Sequence, residues 1–293
     1  MGCPASRKTG ASAPAPKRTE PPAEVETEPP GPEDDPSTHR ARRLIPFDGP
    51  TNDPFFRSPI RAFRRRHYPT VSDRQWNDWR WQVANRVRRV EELQGLLQLT
   101  GDERTAASGP GTALPLGVTP YYLGLFCDGP ADHPIRRTVV PSAGELSASA
   151  GESDDPLGEE HQSPVPGLVH RYPDRALLLA VDFCSTYCRY CTRSRMVGKS
   201  GHHFSRQRLE QALEYIRRTR SIRDVLVSGG DPLTLGDGRL EWLLSRLRRI
   251  GHVEIIRIGT KTPAVLPQRI TPQLVRMLKR HHPLWMSLHF THP

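Results

Sequence analysis

Residues 176–191 read ALLLAVDFCSTYCRYC: a near-continuous apolar run to Phe183, then Cys184, Cys188 and Cys191 at C-x3-C-x2-C spacing. An unbroken apolar run of this length suits a strand buried on both faces. The same texture recurs downstream. Asp224–Gly230 (DVLVSGG), Glu254–Thr260 (EIIRIGT) and Leu284–Phe290 (LWMSLHF) are three more strand-like runs. Helical stripes separate them: Leu209, Ala212, Leu213 and Ile216 behind a capping Ser205; Leu240, Leu243, Leu244 and Leu247; and Leu274, Val275 and Leu278 behind Thr271-Pro272. The order β-α-β-α-β-α-β with short turns predicts a parallel sheet with helices outside, because such crossovers are right-handed. Polar and glycine-rich motifs fall where strands end: CSTYCRYC, SGGD, GTKTP and HFTHP. Parallel α/β folds build their sites at those ends.

Three thiols within eight residues of a polar loop can wrap an inorganic core. A structural zinc would need a fourth ligand, and His202-His203 stands about ten residues on. Three cysteines without a fourth suit a [4Fe–4S] cluster with one iron left open. The plainer alternative, three inert core thiols, fits poorly with a polar loop.

Outward from this core the chain thins. Of 293 residues only 35% are hydrophobic, against 30 Pro and 23 Gly. Residues 1 to about 66 carry few large apolar side chains and read as a disordered tail. The basic stretch 55–66 (FFRSPIRAFRRR) reads as a solvated linker. Met1-Gly2-Cys3 with Ser6 fits an acylation pattern that is short and weak. Residues 67–170 form a helical region and a connection. Order is expected from Val71, where Ser72 and Gln75 have capping-box spacing. One helix face then carries Trp76, Trp79, Val83, Val87 and Val90. Residues 127–167 read as a long connection, and residues 171–293 as the sheet domain. No apolar run reaches the roughly 20 residues of a membrane span. No secretory leader is legible and the five cysteines make no disulfide framework, so a cytoplasmic protein is expected. The net charge of +10 rests mostly on Arg. No nucleic-acid motif accompanies it, so neither a nucleic acid nor a membrane is expected as partner.

With these residues in view, CSTYCRYC resembles the cysteine loop of radical S-adenosylmethionine enzymes. The longer motifs SPVPGLVHRYPDRALLL, CRYCTRSRMVG, RDVLVSGGDPL, HVEIIRIGTKTPAVLPQRITPQLV and HFTHP resemble the lysine 2,3-aminomutase family. WNDWRWQVANRV and TPYYL are similar to its amino-terminal helices, so the resemblance runs from about Val71 to Pro293. It implies a partial (β/α) barrel of the radical S-adenosylmethionine type, after a helical region and a disordered tail. It implies a [4Fe–4S] cluster on Cys184, Cys188 and Cys191, with S-adenosylmethionine and pyridoxal 5′-phosphate as further cofactors. The implied reaction moves an amino group from C2 to C3 of an amino acid by adenosyl-radical chemistry. L-lysine is the first expectation as substrate; glutamate, arginine or a lysyl residue of a translation factor are alternatives, as is a non-catalytic remnant. A flavodoxin- or ferredoxin-like electron donor and a homo-oligomer are implied.

The resemblance also assigns residues. Gly229, Gly230 and Asp231 would hold the methionine moiety, the glycines by close backbone approach and Asp231 by receiving its ammonium group. Arg193 would bind the substrate carboxylate. Arg171, Tyr172 and Arg175 would approach pyridoxal phosphate, and His289 the adenosyl group. Two positions depart from the family: Tyr190 stands where His is usual, and Lys261 where Arg is usual. The family's imine-forming lysine and its later strands would lie beyond Pro293, so the chain reads as truncated and is expected to lack turnover alone.

Overall fold

A computed structural model describes residues 54–108, 114–147, 150–199 and 205–292. The amino-terminal part is a set of short helices: α1 (Pro54–His67), α2 (Asp73–Trp76), α3 (Trp79–Ala84), α4 (Val90–Gln94), α5 (Gly101–Ser108), α6 (Pro120–Leu123) and α7 (Pro134–Arg137). Two expectations need correction here. The boundary of the tail at residue 66 cuts off a real helix. Ile60 and Phe63, one turn apart in α1, are buried with Trp76, Tyr122, Leu123 and Phe126. Sparse apolar residues at that spacing suffice when another unit supplies the rest of the core. The remainder of the tail, with the acylation pattern, lies outside the described residues.

The single helix expected from Ser72 onward is three. The Ser72/Gln75 capping box is present, but Asn77 closes α2 and the Asp78 carboxylate caps α3 by accepting from Arg80 N. Local side-chain capping outcompetes continuation of the helix at such residues. The break puts Gln82 inside, where it donates to Trp76 O at 2.8 Å and accepts from Tyr121 N at 2.9 Å.

The sheet has five strands in the order β1 (Leu168–Tyr172), β2 (Arg175–Val181), β3 (Asp224–Gly229), β4 (Ile255–Thr260) and β5 (Leu284–Leu288). β2 to β5 are parallel and are joined through α8 (Arg206–Arg218), α9 (Asp237–Arg248) and, after β4, α10 (Thr262–Val265) and α11 (Pro272–Lys279). Ser205 and Thr271 cap α8 and α11 as their sequences predict. The purely parallel expectation misses β1. This strand pairs antiparallel with β2 through a tight turn at Pro173-Asp174, so a boundary at residue 170 falls inside it. Leu178, Ala180, Val225, Val227, Ile256 and Ile258 face the helices and join Leu213, Leu240, Leu244 and Leu274 in the main core. The other face, with Leu177, Leu226, Ser228, Arg257 and Gly259, is only partly covered and lines cavities. This is a partial barrel seen from its inside. No helix among the described residues is long and apolar enough to cross a membrane.

Candidate functional site

The cysteine loop leaves β2 after Val181 and turns under the ends of β3 and β4. Cys184, Cys188 and Cys191 line one cavity of about 360 Å³ with Gly229, Gly230, Asp231, Lys261 and His289. The loop is held from outside the sheet. Arg86, 98 residues earlier, donates to Cys184 O at 2.6 Å and stacks its guanidinium 4.2 Å over the Phe183 ring. Tyr187 N donates to Gly117 O and Arg189 N to Thr138 O, both at 2.8 Å. Arg189 also closes a salt bridge with Glu145. The connections between and after the amino-terminal helices thus act as the clamp of the cysteine loop.

Burial pushes the Cys184 thiol well above its ordinary range, and Asp231 and the other two cysteines add to this against Arg86. Burial also raises the Cys191 thiol. Such thiols stay protonated until a metal displaces the protons. Ser185, 1% exposed beside Cys184, has a hydroxyl without a hydrogen-bond partner on the cavity wall. Among the described residues no three His, Cys, Asp or Glu side chains converge on a single ion. Thiolates that each bind a different iron of a cluster need not converge in that way. Three cavity-lining thiols and an orphaned hydroxyl therefore fit a polynuclear, sulfide-bearing group. His202 and His203, the alternative zinc ligands, lie outside the described residues.

The GGD stretch reaches the cavity, but for reasons other than those expected. A Cβ on Gly229 (φ +121°) would lie 2.3 Å from Val181 O, and one on Gly230 would lie 2.4 Å from Phe183 O. The glycines are demanded by the backbone leaving β2, to which Gly230 N and Asp231 N donate. Asp231 is buried and fully partnered. Its Oδ1 accepts from Leu233 N at 3.1 Å and Thr260 Oγ1 at 2.6 Å, and its Oδ2 from Lys261 N at 2.8 Å and Thr262 N at 2.9 Å. An ionised carboxylate has about four lone-pair sites, so none remains for an ammonium group. Burial raises its carboxyl while these hydrogen bonds oppose the rise. The ammonium role expected of Asp231 is corrected to a brace between the ends of β3 and β4.

Arg193 lines the same cavity, but Glu159 holds its guanidinium by a fork with Nη2···Oε1 at 2.6 Å. Arg195 ties down the same segment through Asp155 at 3.0 Å. Arg171, Tyr172 and Arg175 are elsewhere. They are exposed and line a second cavity of about 390 Å³ with Leu177, Leu226 and Arg257, toward the amino end of β2. Arg175 begins β2 and Val181 ends it, a rise of roughly 20 Å. Glu159 lines this second cavity and grips Arg193 in the first, so their ion pair stands between the two. His289 continues from β5, donates its backbone N–H to Thr260 O at 3.0 Å and sets its ring 5.7 Å from Tyr190. Burial lowers its imidazole below the usual range, with Lys261 acting in the same direction.

Sequence reasoning missed Arg86, Ser185 and Glu159, and saw Lys261 only as a departure. Lys261 Nζ lies 3.2 Å from Cys188 Sγ and 2.7 Å from Tyr190 Oη. Burial alone would lower its ammonium, but Cys188, Tyr122 and Tyr190 outweigh it and the group is held above its ordinary value. No local signal links positions 71 and 73 residues apart.

The family model described as the radical SAM superfamily matches residues 178–293. L-lysine 2,3-aminomutase of Clostridium subterminale is 51% identical over 226 residues, 77% of this chain and 54% of the relative. That of Fusobacterium nucleatum is 48% identical over 230 residues, 78% of this chain and 54% of the relative. Glutamate 2,3-aminomutase of Clostridioides difficile is 40% identical over 222 residues, 76% and 52% respectively. The chain spans about half the length of the curated relatives it matches.

Proposed function

The chain belongs to the lysine 2,3-aminomutase family of the radical SAM superfamily, and on that premise we propose that it serves an amino-acid 2,3-aminomutase, an isomerase, with L-lysine as substrate. The single observation that carries the reading is the gathering of Cys184, Cys188 and Cys191 on one cavity with the ends of β3 and β4 and His289. When bound, a [4Fe–4S] cluster, S-adenosylmethionine and pyridoxal phosphate supply the one-electron and radical chemistry. Cys184, Cys188 and Cys191 would hold the cluster. Ser185 offers its free hydroxyl to the same group. The backbone of Gly229 and Gly230, held against Val181 and Phe183, forms the floor beside it. Arg193 orients an α-carboxylate through its planar fork, exchanging Glu159 for it. Arg171, Arg175 and Tyr172 receive the phosphate and ring of the pyridoxal group in the second cavity. The substrate then lies between the two cavities, at the Glu159–Arg193 pair. Lysine is favoured as substrate because relatives named for lysine reach 51% identity, against 40% for a relative named for glutamate. The protein acts as a soluble cytoplasmic enzyme with a small iron–sulfur or flavin protein as electron donor.

The test is anaerobic reconstitution. About four irons per chain with a [4Fe–4S] spectrum are expected. Replacing Cys184, Cys188 or Cys191 by Ala should each abolish it. Cys127→Ala should not, since that thiol lies in the helical part with its pKa pushed by burial to about 11. Stoichiometric zinc without iron would overturn the reading.

A further inference from the structure

Lys261 follows β4 directly, and its side chain passes beneath the cysteine loop. Only 9% of the residue is exposed, and its ammonium group meets Cys188 Sγ at 3.2 Å, Tyr190 Oη at 2.7 Å, the Tyr190 ring at 5.2 Å from its centroid and the Tyr122 ring at 5.9 Å. Its backbone is fixed separately, because Lys261 N donates to the Asp231 carboxylate at 2.8 Å. The ammonium is therefore presented to one sulfur of the three by a rigid strand end and steadied by one phenol. Arg86 reaches only the backbone oxygen of Cys184, and among the described residues no other cation donates a hydrogen bond to a thiol of the loop. Charge-assisted hydrogen bonds are about twice as strong as neutral ones. Hydrogen bonds to cluster sulfurs, together with nearby net charge, set the reduction potential of iron–sulfur centres.

We propose that Lys261 and Tyr190 form a coupled pair that positions the Cys188 sulfur and raises the reduction potential of the cluster it ligates, Lys261 by direct contact and Tyr190 by holding Lys261 in place. The inference rests on the reading of the cysteines as cluster ligands. The two residues stand 71 positions apart in sequence and meet in space. A cation beside the sulfur stabilises the more negative, reduced state. A cluster held by the loop would therefore accept an electron more readily with Lys261 present than without it. A tyrosine hydroxyl fits a slender ammonium at this position, with Cys188 on its other side.

The experiment is a potentiometric titration of the anaerobically reconstituted full chain, followed by the spectrum of the reduced cluster. Iron content is measured in parallel. Lys261→Met is expected to retain its iron and to shift the reduction equilibrium about tenfold toward the oxidised form, about 59 mV for one electron. Lys261→Arg keeps the charge and should restore most of the shift. Tyr190→Phe should shift the potential in the same direction by less. The double variant Lys261→Met/Tyr190→Phe should match Lys261→Met alone, since Tyr190 acts through the lysine. A fully loaded Lys261→Met that titrates with the unaltered protein overturns the proposal, and so does an additive Tyr190→Phe effect. Should Lys261→Met fail to load iron, Tyr190→Phe decides on the same readout: a negative shift supports the pair and no shift overturns it. Unaltered protein that loads no iron would instead sink the cluster reading itself, and this inference with it.

Discussion

At the scale of single residues the site is governed by groups that are already satisfied within the protein. Asp231 gives both carboxylate oxygens to donors from the ends of β3 and β4, one of them the backbone N–H of Lys261. Asp231→Asn would turn an amide –NH2 toward backbone N–H donors and leave buried groups unpaired. We expect it to cost about 2–4 kcal/mol of stability, read as a lower urea midpoint. Any loss of S-adenosylmethionine binding should follow that loss of structure. A variant as stable as the parent but unable to bind the cofactor would restore the direct role assigned from the sequence. Gly230→Ala is expected to be more severe, because its Cβ would lie 2.4 Å from a backbone oxygen that cannot swing aside. Little or no soluble, cooperatively unfolding protein should be recovered.

At the scale of elements, the amino-terminal helices earn their place by carrying the connections that clamp the cysteine loop. α1 buries Phe63 completely among Tyr68, Trp76 and Phe126. Phe63→Ala should therefore cost about 3–5 kcal/mol, whereas a solvated linker would show no change in thermal midpoint. α5 is tied to α7 by Glu103 and Arg136, a pair joined at 2.6 Å and almost wholly inside. Burial works against the Glu103 carboxylate, but Arg136 and Thr100 outweigh it and hold its pKa below the ordinary 4.5. A folded value below the unfolded one favours folding above about pH 4.5, and this contribution is lost as pH falls through the folded value. Glu103→Gln should lower stability by about 3 kcal/mol at pH 7 and flatten the acid limb below the ordinary carboxylate value of 4.5. Denaturant titrations at stepped pH measure both. An unchanged acid limb would show that the pair does not control acid unfolding.

At the scale of the molecule, burial is uneven across the sheet. β2, β3 and β4 are covered by α8, α9 and α11, while β5 leaves Trp285 61% and Leu288 49% exposed at the edge of the sheet among the described residues, with Phe290 just after it 61% exposed. An exposed apolar edge strand with unpaired backbone groups is a template for association. The chain as given should scatter light increasingly with concentration. The double change Trp285→Lys/Leu288→Lys should reduce this while leaving the unfolding free energy within about 1 kcal/mol of the parent. Equal association by both proteins would place the sticky surface elsewhere.

The sequence by itself determined the alternation of buried strands and capped helices, since the periods of Leu178–Ala180, Val225–Val227 and Leu240–Leu247 are local properties. It also determined the cysteine loop, because C-x3-C-x2-C carries its chemistry within eight residues. Only the tertiary structure decided what surrounds that loop. The Asp231 brace, the Glu159 fork on Arg193, the Arg86 clamp and the Lys261–Tyr190–Cys188 contact join residues 29 to 98 positions apart. β1 was hidden for a similar reason: its strand character rests on Leu168 and Val169 pairing with Leu178 and Leu177, a match that only the fold supplies. Patterning fixes which face of an element is buried. Which side chain meets which, and whether a carboxylate is free or already paired, depends on contacts that form only when distant strand ends come together.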